Sequence, residues 1–205
     1  MRQTVLAVIL VAAIGSAAPG QDSKAASDLR QYYSGKFGFY SPGDGLNNGL
    51  LFGVDGITEF IRHSFFLSGA IDLYFKQTFG FFRPSSPDVT SQSIVLLPLH
   101  ANFGYQVFDV PTADTRGYVG IGGGYYLYFY SVDYRVTSGL LGIPEARSAT
   151  RNGGNVFGTF FARVLIGKIF VEPRYYIGSK KEDKVENHTF VVDPAGFAIT
   201  LGFQY

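Results

Sequence analysis

The sequence predicts an all-β chain: an eight-stranded antiparallel up-and-down transmembrane β-barrel. Three observations predict it. From Lys36 onward apolar residues recur at every second position over eight segments, which is the period of a strand and not of a helix. Gly (26), Phe (20) and Tyr (14) are abundant while charged residues make up only 16%; aromatics favour strands and Gly disfavours helices. The connections are mostly short on one side and long on the other, the pattern of barrels that span a membrane.

The chain opens on a targeting segment. Arg2 precedes an apolar run from Val5 to Ile14, and Gly15, Ser16, Ala17, Ala18, Pro19 and Gly20 follow. That charged, apolar, small-residue order is a secretory signal peptide over 1–20, with cleavage expected after Gly20. The run is shorter than the ~20 apolar residues that a spanning helix needs. Residues 21–33 are polar with scattered Ala and read as a short lead-in, helical or disordered. The barrel occupies 34–205.

Eight strands follow in order. The first, over 35–40, puts Phe37 and Phe39 on one face. The second, over 50–61, sets Phe52 and Val54 against Gly53, Asp55 and Glu59. The third, over 65–75, has the cleanest alternation: Leu67, Ile71, Leu73 and Phe75 oppose Ser68, Asp72, Tyr74 and Lys76. The fourth, over 93–107, sets Val95, Leu97, Leu99 and Phe103 against His100, Asn102 and Gln106. The fifth, over 118–130, sets Val119, Ile121, Leu127 and Phe129 against Gly120, Gly122, Tyr126 and Tyr128. The sixth, over 156–166, opposes Phe160 and Val164 to Phe161 and Arg163. The seventh, over 169–177, opposes Val171 and Ile177 to Glu172 and Arg174. The eighth, over 197–205, opposes Phe197, Ile199, Leu201, Phe203 and Tyr205 to Ala198, Thr200, Gly202 and Gln204.

Turns are expected near 62–64 and Gly167, with a modest segment at 109–116; long loops are expected over 77–92, 131–155 and 178–196. Pro98 and Pro173 fall mid-strand, where each removes a ladder donor, so a bulge or a local gap is expected beside each. One parity carries Asp55, Glu59, Asp72, Lys76, Arg163, Glu172 and Arg174 amid glycines, while the other is aliphatic and aromatic. In a membrane barrel the apolar parity faces lipid and the polar or small parity fills the interior. Glycines there would give large neighbours room, and eight strands enclose only enough space for side chains.

The stretch "IVLLPLHANFGY" (94–105), followed by "GYVGIGGGYYLYFY" (117–130), resembles the middle of the outer-membrane β-barrel domain family, which includes OmpA-like and OmpW-like small barrels. The end, "GFAITLGFQY", is similar to the C-terminal sorting signal of such proteins, carried here by Phe197, Ile199, Leu201, Phe203 and Tyr205. The resemblance covers roughly Lys36 to Tyr205, essentially all of the chain after the targeting segment and lead-in. It implies export to a bacterial outer membrane, with outer-membrane lipids around the barrel and insertion by the barrel-assembly machinery after passage through periplasmic chaperones. It says little of function.

Formal net charge is +1, which gives no basic patch or stripe for nucleic acid. With no Cys there are no disulfides or thiolate metal sites, and no zinc or calcium spacing is present. The candidate site is an interior charge network of Asp55, Glu59, Asp72, Arg163, Glu172 and Arg174. Arg163 and Glu172 flank the Gly167 turn, where they could pair across strands, and a carboxylate and a guanidinium can satisfy each other away from bulk water. A plug of ion pairs is the plainer role; a gate or polar passage is the functional one. His100 reads as a hydrogen-bonded interior residue. His63 and Ser64 point to opposite faces and make a poor dyad. The 120–124 glycines lack the spacing and context of a dinucleotide loop. Tyr126, Tyr128 and Tyr130 read as lumen filling. His188 falls in a charged loop. Phe79, Phe81, Phe82, Leu140, Leu141 and Ile143 are apolar residues in loop segments.

No catalytic constellation and no cofactor site are expected. The leading reading is a structural or surface-interaction role. A narrow channel for small hydrophobic or polar solutes is the alternative, and a lipid-modifying enzyme is a more remote one.

Overall fold

The alternation closes into a ring in the computed structural model, which describes residues 29–43, 46, 48–79, 89–138, 143–185 and 188–205. The signal segment and residues 21–28 of the lead-in lie outside the described residues. The strands are β1 (Arg30–Pro42), β2 (Gly49–Phe60), β3 (Phe65–Phe79), β4 (Val89–Val110), β5 (Thr115–Ser138), β6 (Ile143–Ile166), β7 (Ile169–Gly178), β8 (Lys181–Val185), β9 (His188–Val192) and β10 (Gly196–Gln204). Eight of them form a closed barrel in the order β1-β10-β7-β6-β5-β4-β3-β2, and β8 and β9 form a separate two-stranded hairpin. Neighbours pair antiparallel throughout.

Several strands are longer than the sequence pattern suggests. β1 begins at Arg30, inside the expected lead-in. The segment 131–155 is largely not a loop, because β5 and β6 stay paired from Thr115–Ile166 up to Ser138–Ile143. Above Tyr130 the apolar parity of β5 changes sides, with Val132 and Tyr134 buried inward and Ser131, Asp133 and Arg135 outward, while the facing stretch of β6 is polar on both faces, so the lipid-facing pattern ends while the ladder continues. The expected loop 178–196 contains the β8–β9 hairpin, and His188 opens β9. The 109–116 segment is a tight connection built on a single 3₁₀ turn at Pro111–Ala113. Phe79 ends β3 and Ile143 opens β6; Phe81, Phe82, Leu140 and Leu141 lie outside the described residues.

Both prolines leave gaps and neither makes a bulge. The β3–β4 ladder skips from Ile71–Leu99 to Tyr74–Leu96, around Pro98. The β6–β7 ladder skips from Phe161–Arg174 to Val164–Val171, around Pro173. The register is the same on both sides of each gap, as expected when a single N–H is missing and no residue is inserted. The register shifts lie elsewhere, at Val89/Ser91 and Gln106/Phe108 between β4 and β5.

The short turns sit at one end. Three consecutive non-glycine residues, Ile61, Arg62 and His63, take positive φ in the β2–β3 turn, and Gly167 does so between β6 and β7. Backbone bonds from Gln106 to Ser64, Gly167 to Asp114 and Gln204 to Lys168 tie neighbouring turns together. Tyr33 and Tyr205 exchange backbone bonds at 3.0 and 3.1 Å, which seals β1 to the end of β10.

The apolar parity faces outward. Phe37, Phe52, Leu67, Phe103, Ile121, Phe160, Ile177 and Ile199 are among the exposed large residues, and Ile121 is 66% exposed. The polar parity faces inward, with Asp72 and Glu172 fully buried. Inward glycines make room as expected: a Cβ at Gly104 would collide with Phe66, and one at Gly153 with Tyr128. Among the described residues, no helix is long and apolar enough to cross a membrane.

Candidate functional site

The lumen is filled in three layers. At the short-turn end Ile57, Phe66, Tyr118, Phe161, Leu165 and Phe170 form one apolar cluster. Toward the other end Tyr40, Tyr74, Leu96, Tyr126, Tyr128 and Tyr130 belong to a second. Between them lies the charge network.

Arg163 is its hub. Its Nη2 lies 2.5 Å from Asp55 Oδ2 and 2.5 Å from Glu172 Oε2, and its guanidinium covers the Phe170 ring at 4.1 Å. Arg174 donates through Nε to Glu172 Oε1 at 2.9 Å and through Nη1 to Asn102 at 2.8 Å. Lys36 Nζ approaches Asp72 at 3.0 Å and Glu172 at 3.7 Å. Ser34 donates to Asp55. Three cations thus face three carboxylates, so the layer is neutral. That matters because an unpaired charge in such an environment is strongly unfavourable.

His100 bridges the network. Its Nε2 lies 2.9 Å from Asp72 and its Nδ1 3.0 Å from Asn102. Tyr176 donates to the same Asp72 oxygen at 2.8 Å, and Asn102 donates to Ser68 at 3.0 Å. The whole arrangement is a buried layer of ion pairs and hydrogen bonds.

Five of the six candidate residues gather in this layer, and Glu59 does not. It sits near the β2–β3 turn, where it accepts from Tyr118 at 3.0 Å and Tyr32 at 3.4 Å, with His63 at 3.6 Å and Arg116 at 3.9 Å. It shares a parity with Asp55 but lies four residues closer to the turn, beyond reach of the hub. Lys36, Ser34, His100, Asn102 and Tyr176 belong to the network and escaped the candidate set. Their inward parity was a usable signal; that they converge on one layer depends on strand stagger. His63 and Ser64 lie in the turn, as their neighbours in sequence suggest.

The long-loop mouth is covered by the β8–β9 hairpin. Phe190 stacks on Tyr130, with ring centres 4.0 Å apart and planes at 9°, and Val192 is fully buried. Asp183 accepts from Tyr128 at 2.7 Å and from Arg151 at 3.2 Å. The Tyr128 hydrogen bond, with Arg151 adding to it, holds the Asp183 carboxyl down to about 2. Tyr40 donates to the Pro194 carbonyl below the hairpin.

Phe197, Ile199, Leu201 and Phe203 all face outward on β10, and Tyr205 follows the strand, exposed, beside Tyr33.

No protein-family model matches this chain, and no curated protein matches it. Among solved structures, the chain is similar to Ail, the attachment invasion locus protein of Yersinia pestis, at 12% identity and a TM-score of 0.44, covering 87% of this chain and 99% of that one. It is similar to Neisserial surface protein A at 14% identity and a TM-score of 0.45, covering 86% and 97%. It is also similar to the N-terminal β-barrel domain of Pseudomonas aeruginosa OprF at 13% identity and a TM-score of 0.38, covering 85% and 97%.

Proposed function

We propose that this chain is a bacterial outer-membrane barrel that closes its own lumen and serves a structural or surface-interaction role through its projecting β5–β6 hairpin. Membrane insertion is supported by the outward apolar belt around a buried charge layer, the reverse of a soluble barrel. The observation that carries the surface role is the mismatch in strand length. β7 and β10 have 10 and 9 residues, close to the ~9–11 that a tilted strand needs to cross a bilayer. β5 and β6 have 24 each.

The excess is polar on the outside. Leu127 and Phe129 give way to Ser131, Asp133 and Arg135 on β5, and Val156 gives way to Asn152, Thr150 and Ser148 on β6. Beyond the Phe157–Gly178 pair, β6 has no ladder partner but β5 among the described residues; β8 touches it only through side chains, at Arg151 and Gly154. A free strand edge is a template for pairing with another chain.

The channel reading is disfavoured by the three filled layers. The experiment is to refold the chain without residues 1–20 into lipid vesicles, follow the heat-induced band shift on a gel, and record single-channel conductance. A shifting band with a silent bilayer supports the proposal. A steady conductance would favour the channel, and a chain that stays soluble without detergent would sink the membrane reading.

A further inference from the structure

The outer wall near the short-turn end carries a groove of about 530 Å³ across β1 to β4. We propose that this groove seats one phospholipid of the surrounding membrane, an inference that rests on the membrane reading above.

The floor of the groove is Gly56 and Gly69, paired directly in the β2–β3 ladder. A Cβ at Gly69 would meet nothing within 4 Å, and one at Gly56 would meet only the Tyr33 ring, at 3.6 Å. The inward glycines differ. A Cβ at Gly124 would collide with the backbone of Leu99 and His100, and one at Gly202 with the Phe170 ring. Packing requires glycine at those positions. At Gly69 nothing inside the protein requires it, although glycine weakens a strand. The outward Gly35 and the outward pair Gly123–Gly158 are open in the same way; Gly56–Gly69 is the pair that lies in the groove.

The lining changes character along the groove. At the short-turn end Gln31 and Thr58 are register partners on the outward parity, beside the Tyr33 and Tyr205 rings, whose centres are 6.5 Å apart. Farther in, Val54, Ile71 and Leu99 flank the glycine floor. Hydroxyl and amide groups at the barrel's end, followed by an apolar bed, match the ester region and acyl chain of one lipid in that order. Tyrosine is the aromatic suited to the membrane interface in a chain without Trp. The larger groove beside Phe160 and Tyr175, about 680 Å³, is lined almost entirely by apolar groups and has no polar end to select a headgroup.

The test uses the chain without residues 1–20, refolded into vesicles of phosphatidylethanolamine and phosphatidylglycerol and extracted in mild detergent. Native mass spectrometry identifies and counts what stays bound. The wild type is expected to retain one phospholipid per barrel. Gly69→Leu fills the floor and is expected to lower the retained fraction at least tenfold, with Gly69→Ala intermediate. Gly123→Leu adds the same bulk at another outward glycine, outside the groove, where a Cβ has ordinary contact at 3.4 Å; it is expected to retain the lipid. The Tm of Gly69→Leu is expected to equal or exceed that of the wild type, which separates loss of lipid from loss of fold. Equal retention by Gly69→Leu, equal loss by Gly123→Leu, or a bound fatty acid or detergent in place of phospholipid would each overturn the proposal. The gel shift reports insertion separately. An inserted barrel without phospholipid sinks the groove alone, whereas a chain that never inserts sinks the membrane reading with it.

Discussion

Arg163 and Asp55 stand 108 positions apart in the chain and 2.5 Å apart in the lumen. Glu172 completes the contact from the neighbouring strand. The three side chains share one buried layer, so none can lose its partner to water.

Removing the hub should therefore be costly. Arg163→Ala leaves Asp55 without its cation and Glu172 with only Arg174 and Lys36. Breaking a buried pair from one side costs about 3–5 kcal/mol. Urea unfolding in vesicles, followed by the gel shift, should show a loss of that size. A loss under about 1 kcal/mol, the range of an exposed pair, would mean that water reaches the layer.

Pro173 should be replaceable at a gain. Pro173→Ala restores one N–H in the β6–β7 ladder beside Ala162. Satisfying an orphaned acceptor away from water is worth about 1–3 kcal/mol, and losing the proline returns about 0.4–1 kcal/mol of chain entropy to the unfolded state. The first is larger, so a net stabilisation of about 1 kcal/mol is expected. A destabilised variant would show that the ladder had already relaxed around the proline.

Docking of the hairpin should depend on pH. The Asp183 carboxyl lies at about 2 in the fold, against an ordinary 3.8. A depressed carboxylate adds stability above its free value, and that stability is lost as pH falls through the folded value. The hairpin should therefore stay docked above about pH 4 and loosen between pH 4 and 2, read from the ring-shifted NMR signals of Phe190 over Tyr130. Asp183→Asn should remove that dependence. An unchanged titration in the variant would assign the effect to another group.

Phe190 should anchor the hairpin without holding the barrel. Phe190→Ala removes a stacked, buried ring, a change that costs about 3–5 kcal/mol in a core. Its contacts are to the mouth alone. Limited proteolysis between residues 178 and 196 should accelerate sharply while the heat-modifiable band persists. Loss of the band as well would show that the hairpin closes the barrel.

The amino-acid sequence by itself determined the number of strands in the barrel, though not the β8–β9 hairpin, the parity of nearly every barrel strand and which face is apolar, because alternation is a local property that survives without any knowledge of partners. It placed Arg163 beside Glu172 for the same reason: nine residues and one tight turn set that pair. It also located both proline gaps, since a missing N–H is visible in any one-letter code. Only the tertiary structure decided that Asp55, Lys36, His100 and Asn102 reach that same layer while Glu59 does not. Inward parity says which way a side chain points, but its height in the lumen depends on the stagger of strands that are distant in sequence. The length of β5 and β6 was hidden likewise: beyond the apolar belt the apolar residues of β5, Val132 and Tyr134, move to the inward face and β6 turns polar on both faces, so the lipid-facing pattern ends while the hydrogen bonds remain.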